Sequence, residues 1–437
     1  MRARIRWFGL GMTLLCVILT GCGASSTGTR ATATATVATA TVVQPTATST
    51  PSPKTSNVYY ATSDHVLTAL NTATGAIRWT FTKGVDIGAP ILVGNLVYVT
   101  ALNPQGTTIY ALDSTSGSVI WSAEGGTPIL AGDALYMSTG STINCLDAAT
   151  GKQRWQQPFA GTLLTVTSDT VFAGAGTSTS GQGGASVLDS STLTAFNTTD
   201  GAIPWSFTRA YEGFDSPEVA DGVVYFMARS GDNTGPVTGH LYALNTADSS
   251  QRWKVNVGQQ ALANTFALSD GMFLAGGSAT GITGYRASDG AQIWTNTDPM
   301  FSYFTVAGNA AYVKSFNSVA VALEVTTGKE LWDTSVLVTS PATPPVAANG
   351  ALYVSGGRGP GQIAAINSGT GAIQWTKQEP GAMGLPSVTI DTVYAYTMGP
   401  SPVVYAFNAA DGTLRWQHQT GKNLVAGLTV IGEVGSD

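Results

Sequence analysis

Residues that commonly bind metals or act as nucleophiles are sparse in this chain and stand apart from one another. The three histidines, His65, His240 and His418, occur singly in different stretches, so no pair has the spacing of metal ligands. Glycine-rich runs at 174–176 and 181–184 lack the Lys-Ser/Thr pair and the strand-to-helix setting of a phosphate loop. We therefore expect no catalytic residues and no metal site.

The N-terminal residues carry the clearest chemical signal. Arginines at positions 2, 4 and 6 precede an apolar run, residues 7–19, that is too short to span a bilayer comfortably. The run ends in Leu-Thr-Gly-Cys at 19–22, which resembles the lipobox of bacterial lipoproteins. This resemblance implies that residues 1–21 are a signal peptide and that Cys22 is acylated and becomes the first mature residue. The alternative is an ordinary secretory signal followed by a chance cysteine.

A low-complexity stretch of Thr, Ala, Ser, Val and Pro extends from the cysteine to position 56, with Arg30 and Lys54 as its charged residues. It lacks aromatic residues and cannot build a core, so we expect residues 22–56 to be a disordered tether to membrane lipid. The chain would then be a cell-membrane lipoprotein on the extracytoplasmic face, in the periplasm or at the cell exterior. Charged residues are 11% of the chain and the net charge is −6, which argues against a nucleic-acid partner.

An eleven-residue motif repeats nine times between positions 69 and 416. Its copy at 111–121 reads Ala-Leu-Asp-Ser-Thr-Ser-Gly-Ser-Val-Ile-Trp. Each copy begins with a small residue and a large apolar one, has a turn in the middle with Gly in eight of nine copies, and ends in Trp. Successive tryptophans are 34–50 residues apart, and a period of roughly 40–50 residues is typical of propellers and solenoids.

Each copy of the motif predicts a strand, a turn and a second strand, and alternating segments such as 95–100 and 350–355 supply further strands before it. Four strands per repeat predict an all-β fold, a β-propeller of four-stranded blades with a WD40-like architecture. This folded part extends over residues 57–437. Nine motifs allow nine blades, but we expect eight because propellers rarely have more. Pairing of the N- and C-terminal strands would close the ring.

The tryptophan at the end of each motif accompanies a small residue ten positions earlier. A Trp buries a large surface and needs a partner for its indole N–H, so we predict that each ring fills the seam between two blades. The alternative is a row of aromatic ligand-binding positions. The predicted blade-docking residues are Trp79, Trp121, Trp155, Trp205, Trp253, Trp294, Trp332, Trp375 and Trp416.

The pattern Ala-Leu-Asp-x-x-Thr/Ser-Gly-x-x-x-Trp, preceded by Val-Tyr-Val, resembles the repeat of PQQ-like (quinoprotein alcohol dehydrogenase-like) β-propellers over residues 57–437. That family contains dehydrogenases that bind pyrroloquinoline quinone (PQQ) and calcium. It also contains non-enzymatic scaffolds, including the lipoprotein of the outer-membrane β-barrel assembly machinery. The lipobox, and the lack of the adjacent cysteine pair found in methanol-type dehydrogenases, make this chain similar to the scaffolds.

This resemblance implies a non-catalytic protein-interaction scaffold without a cofactor. Two alternatives stay open at this point. One is a PQQ- and calcium-dependent sugar or alcohol dehydrogenase, and the other is a protein that binds cell-wall glycans.

Loops between the motifs are the natural place for a binding site, and the two longest intervals contain the richest loops. Their mixture of Arg, Tyr, Phe and acidic residues is suited to partner recognition. We predict that the chain is a monomer that binds an extracytoplasmic protein or peptide. The candidate binding residues are Arg209, Tyr211, Phe214, Asp215 and Arg229.

Overall fold

The structure is a computed structural model, and its described residues belong to one compact unit that begins at Pro53. It describes residues 57–180, 186–230, 238–258, 265–277, 281–297, 301–315, 319–336, 344–357, 360–424 and 427–430. The predicted signal peptide, Cys22 and the tether at 22–56 lie outside these residues. Within the described ranges the chain forms nine antiparallel sheets and no helix.

Each sheet is one blade, and the blades are numbered 1–9 in chain order. Blades 1–3 comprise β1–β3 (Asn57–Ala61, Leu67–Asn71, Ile77–Phe81) with β39 (Thr429–Val430), β4–β8 (Asp86–Ile87, Ile91–Val93, Leu96–Asn103, Gly106–Asp113, Val119–Glu124) and β9–β12 (Ile129–Ala131, Ala134–Ser138, Thr142–Asp147, Gln153–Pro158). Blades 4–6 comprise β13–β16 (Thr162–Val166, Thr170–Ser180, Ser186–Asn197, Trp205–Ala210), β17–β21 (Glu212–Phe214, Glu218–Ala220, Val223–Ser230, Thr238–Asn245, Gln251–Gly258) and β22–β25 (Thr265–Ser269, Met272–Gly277, Gly281–Arg286, Gln292–Asn296). Blades 7–9 comprise β26–β29 (Phe301–Ala307, Ala310–Ser315, Val319–Glu324, Glu330–Ser335), β30–β33 (Val346–Ala348, Ala351–Gly356, Gly361–Asn367, Ile373–Glu379) and β34–β38 (Ala382–Met383, Ser387–Val388, Thr392–Met398, Val403–Asn408, Leu414–Gln419).

The expectation of eight blades is wrong, because the described residues contain nine sheets. Every Trp motif forms the two outer strands of a sheet of its own, and no two copies share one. Tight turns let a repeat of about 40 residues hold four short strands, so the chain is long enough for nine blades. In blade 1 the innermost strand is β39, whose Val430 and Thr429 pair with Val58 and Tyr59 of β1.

The nine tryptophans share one geometry at the seams between blades. Each indole N–H donates a hydrogen bond of 2.6–3.0 Å to a backbone carbonyl in a turn of the following blade. The ninth bond joins Trp416 to Thr72 O, from blade 9 to blade 1. A glycine in the receiving turn, such as Gly117 with φ of 72°, lies against the ring, and a Cβ there would lie 2.6 Å from Trp79. A residue without a side chain suits both the backbone and the ring at this point, and the equivalent residue in blade 5 is Ser249, with φ of 57°.

The propeller has two faces that differ in their connections. In blades 2, 5 and 9 the innermost strand is divided into two short pieces that pair with the same neighbour, so every blade has four strand positions counted from the innermost. The turns between the first and second positions and between the third and fourth positions form one face, here called the turn face. The hairpins between the second and third strands and the links from blade to blade form the other, the loop face. The lengths of the connections vary more on the loop face. In blade 4, for example, the hairpin of β14 and β15 extends well past the end of the neighbouring strand β13.

Candidate functional site

The candidate site lies on the loop face at the seam between blades 4 and 5. The outer strand of blade 4 ends at Ala210 and the first strand of blade 5 begins at Glu212, so the link between them is the single residue Tyr211. Tyr211 has a φ of 58° and donates its backbone N–H to Asp189 O at 2.9 Å. A left-handed backbone is costly for a tyrosine and is found where function or surrounding structure requires it. The side chain of Tyr211 is 58% exposed.

Four of the five predicted binding residues are brought together beside Tyr211. Arg229 lies opposite Gly213 in the sheet and its Nη2 is 2.6 Å from Asp215 Oδ1. Burial raises the pKa of Asp215, although attraction to Arg229 opposes that shift. Phe214 packs edge-on against Phe226, with ring centroids 5.0 Å apart. Phe214 therefore belongs mainly to the core of the seam. The Asp215–Arg229 ion pair lies at the edge of the seam on the loop face; this edge, with Arg209 and Tyr211, is here called the rim.

Arg209 lies over aromatic rings at the same rim. Its guanidinium carbon is 3.9 Å from the ring centroid of Phe207 and 5.8 Å from that of Tyr242. Its side chain also reaches Gln251 Oε1 at 3.4 Å. In the part of the chain that the structure describes, no carboxylate forms an ion pair with it. Arg209 is thus fixed by stacking and retains its charge for a partner.

A buried ionic network, which the sequence did not reveal, lies directly beneath Tyr211 and Arg209. Glu212 Oε2 accepts a hydrogen bond of 2.5 Å from the Tyr242 hydroxyl, and Glu212 Oε1 accepts one of 3.0 Å from Lys254 Nζ. His240 Nδ1 is 3.2 Å from Glu212 Oε1. Burial, and next the charge of Lys254, lower the pKa of His240 despite the attraction of Glu212. The imidazole is therefore neutral at pH 7. The negative charge of Glu212 is neutralised by Lys254 alone.

Burial and the hydrogen bond to Glu212 raise the pKa of the Tyr242 hydroxyl, which remains a donor at all physiological pH values. Burial lowers the pKa of Lys254, but hydrogen bonds to Tyr242 and Glu212 outweigh it and leave that pKa raised. A buried carboxylate that is paired and fully hydrogen-bonded is held in place, whereas an unpaired one would be costly. The network therefore acts as a support for the rim, in which the buried His240 Nδ1 has no hydrogen-bond partner among the described residues.

Sequence reasoning missed these residues for identifiable reasons. Glu212 lies inside the stretch that contains the predicted residues, but only the strand order shows that it points into the seam. His240 was sought as a metal ligand, whereas its neighbour is a carboxylate 28 positions away. Lys254 follows its Trp directly, a position occupied by an uncharged residue in seven of the other eight copies. That departure from the repeat was the one signal available in the sequence.

The other side of blade 5 carries a second buried acid. Glu218 Oε2 accepts the backbone N–H of Leu268 in blade 6 at 2.8 Å. Burial raises the pKa of Glu218 to about 7, and the hydrogen bond from Leu268 opposes this only in part. Glu218 pairs with Tyr225 of the next strand. In blade 2 the tyrosine at the same repeat position is Tyr98, and it pairs with Ile91, which is therefore the residue equivalent to Glu218. Blade 5 thus places ionisable groups in both of its seams.

The remaining features of the described residues offer less chemistry. A cleft of about 560 Å³ on the loop face between blades 2 and 3 is lined mainly by Gly, Thr and Ser, with Glu124 as its one acid. No group of three or more His, Cys, Asp or Glu side chains in the described ranges could hold a metal ion. No helix in the described part of the chain is long and apolar enough to cross a membrane.

Comparison with known proteins supports the fold and the repeat together. The family described as outer membrane protein assembly factor BamB matches residues 26–162, 139–301 and 299–427. The chain belongs to this family. The resemblance of its repeat to PQQ-like propellers is thereby confirmed, and the candidate site is a feature of a BamB-family propeller.

Individual relatives are distant. The outer membrane protein assembly factor BamB of Yersinia pestis is 24% identical over 208 residues, which are 44% of this chain and 51% of that protein. The tetrathionate hydrolase of Acidithiobacillus ferrooxidans is 30% identical over 114 residues, 22% of each chain. The chain therefore spans about half the length of the first curated relative and less of the second.

Among solved structures, a eukaryotic initiation factor has a TM-score of 0.61 at 9% identity, covering 87% of this chain and 98% of that one. At that identity the likeness concerns the fold alone. A similar fold thus occurs in an initiation factor and in an outer membrane assembly factor. The fold alone does not give the function of this BamB-family member, which depends on its own site residues.

Proposed function

We propose that this chain is a membrane-anchored, extracytoplasmic scaffold that binds a protein or peptide at the rim between blades 4 and 5 and catalyses no reaction. The observation that carries the proposal is the exposed Tyr211, which is held in a left-handed backbone conformation above the buried Glu212–Lys254 network. Membership of the BamB family supports it, because the named family members are assembly factors.

The rim has the composition and rigidity of a protein-binding hot spot. Tyrosine and arginine are enriched at such centres, since they offer large contact areas and directional hydrogen bonds. Arg209 is preorganised by stacking on Phe207, so little side-chain entropy is lost when a partner binds. Among the described residues no carboxylate pairs with the Arg209 guanidinium, which favours a ligand that supplies one, such as an acidic side chain or a chain terminus. Arg229 and Asp215 neutralise each other and would frame the contact.

The membrane-anchored part of the proposal rests on the N-terminal sequence. Acylation of Cys22 would hold the protein at the membrane, residues 22–56 would act as a tether, and residues 57–437 would form a monomeric propeller. Two or more acyl chains suffice for stable anchoring, at roughly 0.8 kcal/mol per buried CH₂. The partner would then be another extracytoplasmic protein of the cell envelope.

The proposal can be tested by site-specific crosslinking in cells. A photoreactive phenylalanine analogue replaces Tyr211, and captured proteins are identified by mass spectrometry. We expect a specific partner whose capture falls when Arg209→Ala is added. The matched control is Lys83→Ala, which removes the equivalent stacked cation between blades 1 and 2 and should not change capture. Equal effects of the two alanine variants would contradict a site at this rim.

The absence of catalysis needs its own measurement. Purified protein is incubated with PQQ, Ca²⁺ and sugars or alcohols, and reduction of a dye is followed. We expect no turnover. Dye reduction that depends on both PQQ and the protein would overturn the scaffold proposal in favour of a dehydrogenase.

A further inference from the structure

The turn face carries a set of exposed aliphatic side chains that the fold does not need. In eight of the nine blades a bulge in the outer strand pair leaves the residue two positions before the Trp at the outer edge of the blade, as for Ile77 opposite Leu70. In blade 4 the outer strand begins only at Trp205, so Ile203 precedes it. Ile77 is 54% exposed and Leu414 is 52% exposed. Blades 3, 5, 6 and 7 have Gln or Glu at this position. Because polar residues serve equally well there, the aliphatic ones are not explained by packing within the blade.

At this repeat position the aliphatic residues are concentrated on one arc of the ring, while Ile293 and Leu331 of blades 6 and 7 are exposed one position nearer the Trp. The position two before the Trp is occupied by Ile373, Leu414, Ile77 and Val119 in the four consecutive blades 8, 9, 1 and 2. All four are exposed. On the opposite arc, blades 3–7, the same position is aliphatic only at Ile203. Single exposed aliphatic residues are ordinary on protein surfaces, but a run on adjacent repeats indicates an interaction surface.

Turn tips on the same face extend the pattern. Ile390, in the turn between β35 and β36 of blade 9, is 61% exposed, and Val93, at the end of β5 beside the corresponding turn of blade 2, is also exposed. The positions equivalent to Ile390 in the other described turns are Gly, Asp, Asn or Ser. We call the six residues the aliphatic arc; they are Ile77, Val93, Val119, Ile373, Ile390 and Leu414.

The first described residue, Asn57, lies in blade 1, between the other blades that carry the aliphatic arc. Asn57 is the first residue of β1 in blade 1 and pairs with Asn71, at the start of a turn on the turn face. Its side chain donates a hydrogen bond of 2.7 Å to Ser114 O in the corresponding turn of blade 2. The residues that precede β1 therefore join the propeller on the face and the arc that carry the exposed aliphatic groups.

We propose that the aliphatic arc rests on the lipid surface to which the chain is anchored, so that the turn face meets the membrane and the rim at blades 4 and 5 points away from it. This inference rests on the proposed acylation of Cys22. Thirty-four residues separate Cys22 from Asn57. A random coil of that length spans about 30–35 Å, which keeps the arc at high effective concentration near the bilayer. Shallow insertion of a few aliphatic side chains then suffices to set the orientation.

The experiment uses the full acylated chain bound to vesicles of phosphatidylethanolamine and phosphatidylglycerol. An environment-sensitive fluorophore is attached at Ile77→Cys, at Leu414→Cys or at Ile203→Cys, which is the same repeat position on the opposite arc. Cys145 is buried and does not compete for the label. We expect the emission of labels at 77 and 414 to shift to shorter wavelength and to be quenched by brominated lipid, while the label at 203 stays in water.

Four other outcomes overturn the proposal in distinguishable ways. Labels that are all unquenched on vesicle-bound, acylated protein exclude contact of the arc with lipid, and equal quenching at all three positions excludes a preferred orientation. A shift that depends on protein concentration and not on vesicles assigns the arc to a second copy of the chain. An unmodified Cys22 in intact-mass analysis, with no vesicle binding, removes the anchor itself and the orientation with it.

Discussion

The seam between blades 1 and 2 and the seam between blades 4 and 5 are built on the same frame. In the first, Phe81 meets Tyr110 edge-on with ring centroids 5.2 Å apart, and Lys83 lies 5.8 Å from the Tyr110 ring. In the second, Phe207 meets Tyr242 edge-on at 5.6 Å, and Arg209 lies over both rings. An aromatic pair with a stacked cation is therefore common to both seams, and it does not by itself mark a site.

The two seams differ in the residues that surround this frame. The strand pairings identify equivalent positions in blade 2 and blade 5. Five positions that are neutral in blade 2, at the first seam, are ionisable in blade 5, at the second. The pairs are Val85 and Glu212, Gly88 and Asp215, Leu102 and Arg229, Thr108 and His240, and Ser122 and Lys254. The positive-φ residue of the link is Gly84 in the first seam and Tyr211 in the second. A buried acid is tolerable only with its partners, so these residues have to occur as a set.

The largest expected effect comes from removing the partly exposed cation that pairs with the buried Glu212. Lys254→Met leaves the Glu212 carboxylate buried without its ammonium partner, and the free energy of unfolding should fall by about 3 kcal/mol. The measurement is urea unfolding followed by tryptophan fluorescence. Ser122→Met, the matched change between blades 1 and 2, should cost less than about 1 kcal/mol. The double variant with Glu212→Gln should recover most of the loss, and similar losses at both seams would break the comparison.

A second difference between blades 5 and 2 should appear in the pH dependence of stability. The folded state raises the pKa of Glu218 from 4.5 to about 7, so the unfolded chain releases this proton at lower pH than the folded chain. The contribution of Glu218 is therefore most favourable below pH 4.5, and it is lost as the pH rises to about 7. We expect a decline on the order of 2 kcal/mol over that window.

Glu218→Gln should remove this pH dependence and leave the variant more stable than the parent at pH 8. Unfolding midpoints across a pH series provide the measurement. The amide oxygen can still accept the N–H of Leu268, so the hydrogen bond is retained. A decline of the same size in the variant would assign the effect to other groups.

The smallest effect on stability is expected at the link itself. Tyr211→Gly removes the cost of a left-handed tyrosine and should raise the free energy of unfolding by up to about 1 kcal/mol, less the added entropy of glycine in the unfolded chain. Partner binding should weaken roughly ten-fold or more, because the exposed aromatic contact is lost. A variant that loses stability and keeps its partner would show that Tyr211 serves the fold and not the site.

The repeat made the blade architecture predictable, because the small residue, the turn and the Trp of each motif have local structural roles. The number of blades was not settled by these local rules, since experience with other propellers favoured eight while the motif count favoured nine. Arg209, Tyr211 and Asp215 were predicted from the composition of their loop, and their role in binding stays a prediction. Glu212 and His240 could not be, because their proximity depends on strand register across a blade and on a link of one residue.

The pairing of Thr429 and Val430 with β1 imposes an order in time. Blade 1 comes first in the chain but lacks its innermost strand until residues 429–430 are available, and the seam from Trp416 to Thr72 likewise waits for blade 9. Contacts that join opposite ends of a chain form slowly. During synthesis the early blades therefore carry an open edge, and a truncated product would keep that edge permanently exposed to aggregation and proteolysis.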